Sequence, residues 1–232
     1  GEKLDLKEYI KRILEIAKGT PVSLEVTELT AAGMIEQRKR IFDMFNPVAG
    51  NVNVKIPVNP AFKDGDTTHF DGLRAVRALS EQGIPVNCTL IFTPEQCLLA
   101  AKAGAAFISP FAGRVDDLIR TKAGVKFDKT AYFPAEGMMK DDALVEDNGV
   151  VSGIDLVEQC VDVLNIYDFE AEIIAASLRN PRQAREAALV GAHIATLPFT
   201  VIRDMLKHAK TFEGMDLFTK DIVPDYVKML KG

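Results

Sequence analysis

The sequence has few of the residues that build disulfide frameworks, metal sites and nucleic-acid surfaces. Its three cysteines are an odd number without Cys-x-x-Cys spacing, which indicates free thiols in a reducing cytosol. Its three histidines lie far apart along the chain, so we expect no metal site. The net charge is −5 and no basic run occurs, which argues against nucleic acid as a partner.

Long apolar runs and a glycine-rich dinucleotide turn are also missing. No apolar stretch is long enough for a membrane span and none resembles a signal peptide, so we expect a cytoplasmic protein without a membrane partner. The 232 residues are 47% hydrophobic and 26% charged, an ordinary globular balance that can fill a large core. We therefore predict a single domain over residues 1–232.

The sequence does contain a regular alternation of strand-like and helix-like segments. The predicted strands are short, mostly apolar and bounded by Gly, Pro or Asn, and they are Val22–Val26, Val52–Pro57, Val86–Phe92, Ala106–Phe111, Glu172–Ser177 and His193–Leu197. Helices are predicted between the strands. Glu95–Ala103 follows Thr93-Pro94, an N-cap residue and a proline at the first helical position, and Pro181–Val190 follows the N-cap residue Asn180 in the same way. This order indicates a parallel sheet with right-handed crossovers.

The most regular architecture with this alternation is the (β/α)8 or TIM barrel. We count only six strands, however, and the sequence opens on a predicted helix, Leu4–Ala17. We therefore expect a partial TIM barrel in which two N-terminal β/α units are absent. The alternative is an open six-stranded sheet, which would expose two edges. Residues 59–72 and 116–151 are predicted insertions or long loops, with a helical piece around Lys140–Glu146.

Lys55 is the most informative residue of the chain, because it interrupts a strand that otherwise reads as buried. Lysine is almost never fully buried unless it is paired. An amine held away from water favours its neutral form, which is the nucleophile that makes Schiff bases with carbonyl compounds. The alternative is a lysine whose stem lies along the strand while its amine reaches water.

Four segments in order on successive predicted strands resemble the transaldolase family, which includes the fructose-6-phosphate aldolases. They are Val52-Asn53-Val54-Lys55-Ile56-Pro57, Gly83-Ile84-Pro85-Val86-Asn87-Cys88-Thr89-Leu90-Ile91-Phe92, Ile108-Ser109-Pro110-Phe111-Ala112-Gly113-Arg114 and Ala175-Ala176-Ser177-Leu178-Arg179-Asn180. The resemblance extends along nearly the whole chain, and it implies a TIM barrel of the class I aldolase type.

The resemblance implies Schiff-base chemistry without a metal or an organic cofactor. Lys55 matches the lysine that attacks the ketone of a ketose phosphate. Glu25 matches a position where transaldolases keep a glutamate and the aldolase relatives usually a glutamine, and Thr89 matches the threonine that shares a catalytic water with it. Taken alone, Glu25 could simply pair with a nearby lysine and Thr89 could be an ordinary β-branched strand residue.

Other matched residues imply a sugar-phosphate site and a preference for transfer. Arg114, Ser177 and Arg179 match the phosphate-binding set. The fork geometry of arginine suits this role, although Arg114 and Arg179 could each be an ordinary surface arginine. Asn87 and Ser109 match polar residues that line the substrate site. At position 111 this chain has phenylalanine, as transaldolases do, where the aldolase relatives carry tyrosine.

The sequence departs from the family at its start, because the family's first-strand aspartate and second-strand asparagine and threonine have no counterpart here. Three explanations are open: further residues precede this sequence, the chain is one piece of a split protein, or another subunit supplies the missing units. We favour the first.

The expected function is transfer of a dihydroxyacetone unit between sugar phosphates. The alternatives are aldolase-like cleavage of fructose 6-phosphate, or a non-catalytic barrel fragment that binds sugar phosphate or serves assembly. We also expect a homo-oligomer, with the C-terminal helical segment Asp216–Leu230 as a candidate contact.

Overall fold

A parallel sheet organises the chain up to Leu197 in the computed structural model, which describes residues 5–231. In chain order the strands are β1 Val22–Glu25, β2 Val52–Pro57, β3 Val86–Ile91, β4 Phe107–Pro110, β5 Met139–Lys140, β6 Ala143–Leu144, β7 Glu172–Ala175 and β8 Ile194–Ala195. The six-stranded sheet has the order β1-β2-β3-β4-β7-β8, and β5 and β6 form a separate hairpin. The six predicted strands are confirmed, with ends that differ by at most two residues.

The sheet is strongly curled. The Asn87 side-chain amide on β3 donates a hydrogen bond of 3.1 Å to the Ser23 hydroxyl on β1, although β2 lies between these strands. Neighbouring strands are about 4.8 Å apart, so a flat sheet would keep these two side chains too far apart to bond. The curled parallel sheet with flanking helices confirms the predicted TIM-barrel-like fold. Within the described residues, β1 and β8 are its two edges.

Seven helices accompany the sheet in the part of the chain from Asp5 to Leu197 that the structure describes. They are α1 Leu6–Ala17, α2 Ala31–Ala49, α3 Asp71–Ser80, α4 Pro94–Lys102, α5 Ala112–Ala123, α6 Gly153–Ile166 and α7 Pro181–Leu189. The helix predicted to begin at Leu4 is α1, and Leu4 itself lies outside the described residues.

The strands divide their side chains between two faces, because successive residues of a strand point to opposite sides. On β2, Val54 and Ile56 belong to the main hydrophobic core that the strands share with the helices. Asn53 and Lys55 point to the other, concave face. Strand β2 therefore contributes apolar side chains to the core and polar ones to the interior of the curled sheet.

Helices α4 and α7 begin with the same capping arrangement, which confirms both predicted N-caps. Thr93 accepts a hydrogen bond from the backbone N–H of Gln96, and the Gln96 side chain accepts one from the N–H of Phe92. Asn180 likewise accepts from the N–H of Gln183. These bonds satisfy N–H groups that a helix start leaves without partners.

The two predicted insertions are partly ordered elements. Residues 116–123 were expected in a long loop but belong to α5, and the piece around Lys140–Glu146 is the β5–β6 hairpin, so the predicted helix there is wrong. Residues 59–70 form a loop in which the Asp66 carboxylate accepts from the N–H groups of Phe62 and Lys63, and α3 has begun by residue 71.

A second compact unit begins at Pro198 and contains α8 Phe199–Met205, α9 Ala209–Lys220 and α10 Pro224–Lys231. The predicted segment Asp216–Leu230 is therefore helical but interrupted, because α9 ends at Lys220 and α10 begins at Pro224. Among residues 5–231, no helix combines the length and the apolar character that a bilayer crossing requires.

Candidate active site

The concave face of the sheet encloses a pocket of about 660 Å³ that is lined by side chains from all six strands. Five of the residues singled out in the sequence line this pocket: Lys55, Asn87, Ser109, Phe111 and Ser177. They come from four different strands or the residues just after them, so only the curled sheet brings them together. Glu25, Thr89, Arg114 and Arg179 do not line the pocket wall itself.

Lys55 is a half-buried amine without a carboxylate partner. Its Nζ lies 5.5 Å from the centre of the Phe111 ring, and no acceptor or acidic group among residues 5–231 bonds or pairs with it. The guanidinium of Arg114, in the first turn of α5, lies 4.8 Å from the centre of the same ring. Both side chains thus lie within cation–π distance of the Phe111 ring.

A chain of hydrogen bonds runs across the pocket floor. The Ser109 hydroxyl donates to the Asn87 side-chain oxygen at 2.7 Å, and the Asn87 amide donates to the Ser23 hydroxyl at 3.1 Å. Asn87 and Ser109 are buried, so these bonds fix the orientation of the amide. The sequence analysis missed Ser23 and the neighbouring Asn53, although each stands two residues before a selected residue and therefore shares its face of the strand.

Glu25 and Thr89 have less defined surroundings. The backbone of Glu25 lies opposite that of Lys55 in the β1–β2 register, but the Glu25 side chain is exposed and makes no hydrogen bond or ion pair within residues 5–231. The Thr89 hydroxyl is fully buried and has no hydrogen-bond partner among residues 5–231. A buried polar group without a partner is uncommon and calls for a functional or solvent-based explanation. The shared catalytic water of these two residues stays a prediction.

The three candidate phosphate ligands lie around the starts of α5 and α7. Arg114 is exposed in the first turn of α5. Ser177 adopts φ +63°, a left-handed conformation that is unusual for a residue with a side chain and is often found at functional sites. Arg179 forms a bidentate ion pair with Asp117, a residue that the sequence analysis missed.

A buried carboxylate of α5 connects this helix to the starts of α6 and α7. Asp116 is buried, and its carboxylate accepts hydrogen bonds from the Gly153 N–H at 2.7 Å and the Gln183 side chain at 2.5 Å. Burial raises the pKa of Asp116 from 3.8 to about 6, because the charged form is poorly solvated there and the hydrogen bonds compensate only in part. Gln183 also accepts from the N–H of Arg179, which connects this buried cluster to the ion pair.

The cysteines are part of the core. Cys88 and Cys97 are completely buried. Burial raises the pKa of the Cys88 thiol to about 12, which keeps it protonated and unreactive. Within residues 5–231, no cluster of three or more histidine, cysteine or acidic side chains has the arrangement of a metal site.

Comparison with known proteins supplies the family. The model of the transaldolase/fructose-6-phosphate aldolase family matches residues 3–229. The chain belongs to the transaldolase/fructose-6-phosphate aldolase family. The match covers nearly the whole chain, so the expectation that two β/α units are missing is not borne out by it.

Relatives within the transaldolase/fructose-6-phosphate aldolase family are similar over most of their length. A probable transaldolase of Aquifex aeolicus is 40% identical over 215 residues, which are 93% of this chain and 78% of the relative. A probable transaldolase of Desulfosudis oleivorans is 38% identical over 95% of this chain and 81% of its own. A third, from Chlorobium phaeobacteroides, is 40% identical over 94% of this chain and 76% of its own.

Proposed function

We propose that this protein is a transaldolase that transfers a dihydroxyacetone unit from a ketose phosphate to an aldose phosphate. The observation that carries the proposal is the Lys55 amine, which lies half-buried on the concave face next to Phe111 and has no hydrogen-bond or ion-pair partner in the described part of the chain. Family membership adds support, and so do the names of the relatives. A donor and acceptor pair that suits this chemistry is sedoheptulose 7-phosphate and glyceraldehyde 3-phosphate, as in the pentose phosphate pathway.

The proposed reaction begins when the neutral Lys55 amine adds to the ketone carbon of the donor. Loss of water from the adduct gives an iminium ion. The C3–C4 bond then breaks, its electron pair moves into the iminium as an enamine, and the C4 hydroxyl loses its proton as the aldose phosphate leaves. The enamine attacks the aldehyde carbon of the acceptor, so that a new C–C bond and an iminium form while the aldehyde oxygen takes up a proton. Hydrolysis of this iminium by water then releases the product ketose and the free amine.

Other residues have supporting roles in this proposal. Glu25 and Thr89 would hold the water that exchanges protons during iminium formation and hydrolysis. The buried Asn87 and Ser109 would bind substrate hydroxyls, because their hydrogen-bonded orientations are fixed before substrate arrives. Arg114, Ser177 and Arg179 would bind the phosphate.

Transfer is favoured over simple cleavage by Glu25 and Phe111. A tyrosine hydroxyl at position 111 could orient water toward the enamine, and phenylalanine has no such group. The enamine would therefore persist until an aldehyde arrives. An assay with fructose 6-phosphate and no acceptor separates the two activities, because only an aldolase releases glyceraldehyde 3-phosphate steadily under that condition.

The proposal is tested by borohydride reduction in the presence of fructose 6-phosphate, followed by intact mass and peptide mapping. We expect a dihydroxyacetone-sized adduct on Lys55, and neither adduct nor transfer activity in Lys55→Met. Lys102→Met is a matched control, because the Lys102 amine also lies against aromatic rings, at 5.7 Å from Tyr167 and Phe169, but outside the pocket. Full transfer activity in Lys55→Met would disprove the proposal.

A further inference from the structure

The Arg179 side chain is held on one edge by Asp117. Nη1 donates to Oδ1 at 2.6 Å and Nη2 donates to Oδ2 at 2.7 Å, so both carboxylate oxygens are engaged. The two side chains are only 16% and 20% exposed. A planar guanidinium and a planar carboxylate joined by two parallel bonds have a well-defined relative orientation.

A third N–H group of Arg179 is also occupied, because Nη1 donates a further bond of 3.2 Å to the backbone carbonyl of Lys129. A guanidinium has five N–H groups. The two that are left are the N–H of Nε and the outer N–H of Nη2, which together form the second fork of the group. Within residues 5–231 neither has an acceptor, so this edge is available for another oxyanion.

The Nε atom of the free edge lies close to Gly113 and to the backbone of Ser177, in the segments that carry the phosphate candidates. A Cβ atom on Gly113 would stand 2.9 Å from Arg179 Nε and 2.2 Å from the carbonyl oxygen of Ser177. The absence of a side chain at Gly113 thus leaves the first turn of α5 close to the Nε edge. Ser177 itself lines the pocket.

We propose that Asp117 is a positioning residue for the substrate phosphate. By occupying the Nη1–Nη2 edge, it directs the Nε–Nη2 edge of Arg179 toward the phosphate. This inference rests on the proposed function, because it requires the pocket to take a sugar phosphate. Simple electrostatics predicts that removal of the Asp117 carboxylate strengthens phosphate binding, because a negative charge near the phosphate is lost. The positioning role predicts the opposite, because Arg179 would no longer be held in the orientation that binds the phosphate.

The test is equilibrium binding of fructose 6-phosphate and of inorganic phosphate, measured by calorimetry on the full chain. We expect Asp117→Ala and Asp117→Asn to raise the Kd for both ligands by about tenfold, the loss expected when hydrogen bonds to a charged group are misaligned. Asp117→Glu, which restores a carboxylate, should recover part of the affinity. Glu81→Gln is a matched control, because it removes a carboxylate from the exposed ion pair with Arg77.

A second measurement separates positioning from general damage. Borohydride trapping of unphosphorylated fructose on Lys55 should be half-maximal at the same concentration in Asp117→Asn and wild type, because that ligand has no phosphate. Thermal melting verifies that each variant is folded, and Asp117→Asn preserves the side-chain volume should Asp117→Ala fail to fold.

The outcomes are distinct. Equal or tighter phosphate binding in Asp117→Asn overturns the inference, as does an equal loss for phosphorylated and unphosphorylated ligands. Absence of phosphate binding in the wild type also overturns it. If the wild type binds phosphate but no ketose is trapped on Lys55, the proposed function fails, and the inorganic phosphate measurements still decide the role of Asp117.

Discussion

The Lys55 amine lies 5.5 Å from the centre of the Phe111 ring, in the half-buried interior of the curled sheet. The ring supplies apolar surface beside the amine, and its face also contacts the Arg114 guanidinium. Position 111 is therefore adjacent both to the proposed nucleophile and to a proposed phosphate ligand. A change of side chain there should alter the chemistry at the amine without changing the fold.

Phe111→Tyr should increase cleavage of fructose 6-phosphate in the absence of an acceptor. The ring is retained, and the added hydroxyl can orient a water molecule that protonates the enamine. We expect a rise of about a hundredfold, at the low end of what a positioned proton donor contributes. The assay follows release of glyceraldehyde 3-phosphate. Phe92→Tyr is the control, because the Phe92 ring lies 5.9 Å from that of Phe111 and is one step further from the amine. Equal cleavage by Phe111→Tyr and wild type would contradict the prediction.

Ser109→Ala should destabilise the fold more than Ser23→Ala. Both substitutions remove a hydrogen-bond partner of Asn87, but Ser109 is buried whereas Ser23 is exposed to solvent that can replace the lost group. Leaving the Asn87 oxygen without a donor should reduce the free energy of unfolding by about 1–3 kcal/mol. Urea denaturation measures the difference. A smaller loss in Ser109→Ala than in Ser23→Ala would show that the buried bond does not control the stability of this site.

Asp116→Asn should change how stability depends on pH. The folded state raises the pKa of Asp116 from 3.8 to about 6, so near pH 5 the folded protein holds a proton that the unfolded chain has released. The contribution of Asp116 to the free energy of unfolding is therefore fully present below pH 3.8. It decreases by on the order of 3 kcal/mol as the pH rises through 6. Asparagine does not titrate.

The free energy of unfolding of Asp116→Asn, relative to wild type, should consequently increase between pH 4 and pH 6 and then level off. Urea titrations of both proteins at several pH values measure this difference directly. A difference that is constant over the whole range would mean that Asp116 has the same proton affinity in the folded and unfolded states.

Much of the fold was predictable because its determinants are local. The six strands are short apolar runs flanked by Gly, Pro or Asn. The N-cap residues of α4 and α7 stand immediately before the helices that they begin. The family resemblance depended on the same strand segments. It selected Lys55, Asn87, Ser109, Phe111 and Ser177, which the structure brings into one pocket.

Residues 116–123 were predicted to begin a long loop, and their place in helix α5 was not predictable in the same way. Asp116, Asp117 and Arg120 give α5 a charged character that is typical of a loop or an exposed surface. In the structure Arg120 is buried and donates to the carbonyls of Ala131 and Tyr132, and Asp116 bonds to the start of α6. Because the hydrogen-bond partners of these groups are 11 to 67 residues away, no local pattern indicated that the charges are internal.

The sequence by itself determined the order of strands and helices, the helix caps and the identity of the lysine, since each depends on neighbours along the chain. Tertiary structure alone decided that Asn87 reaches Ser23 across β2, and that Arg179 is committed to Asp117 on one edge and open on the other. Both are contacts between residues more than 60 positions apart. They exist only because the sheet curls and the helices pack against it, which sets distances that the order of residues does not contain.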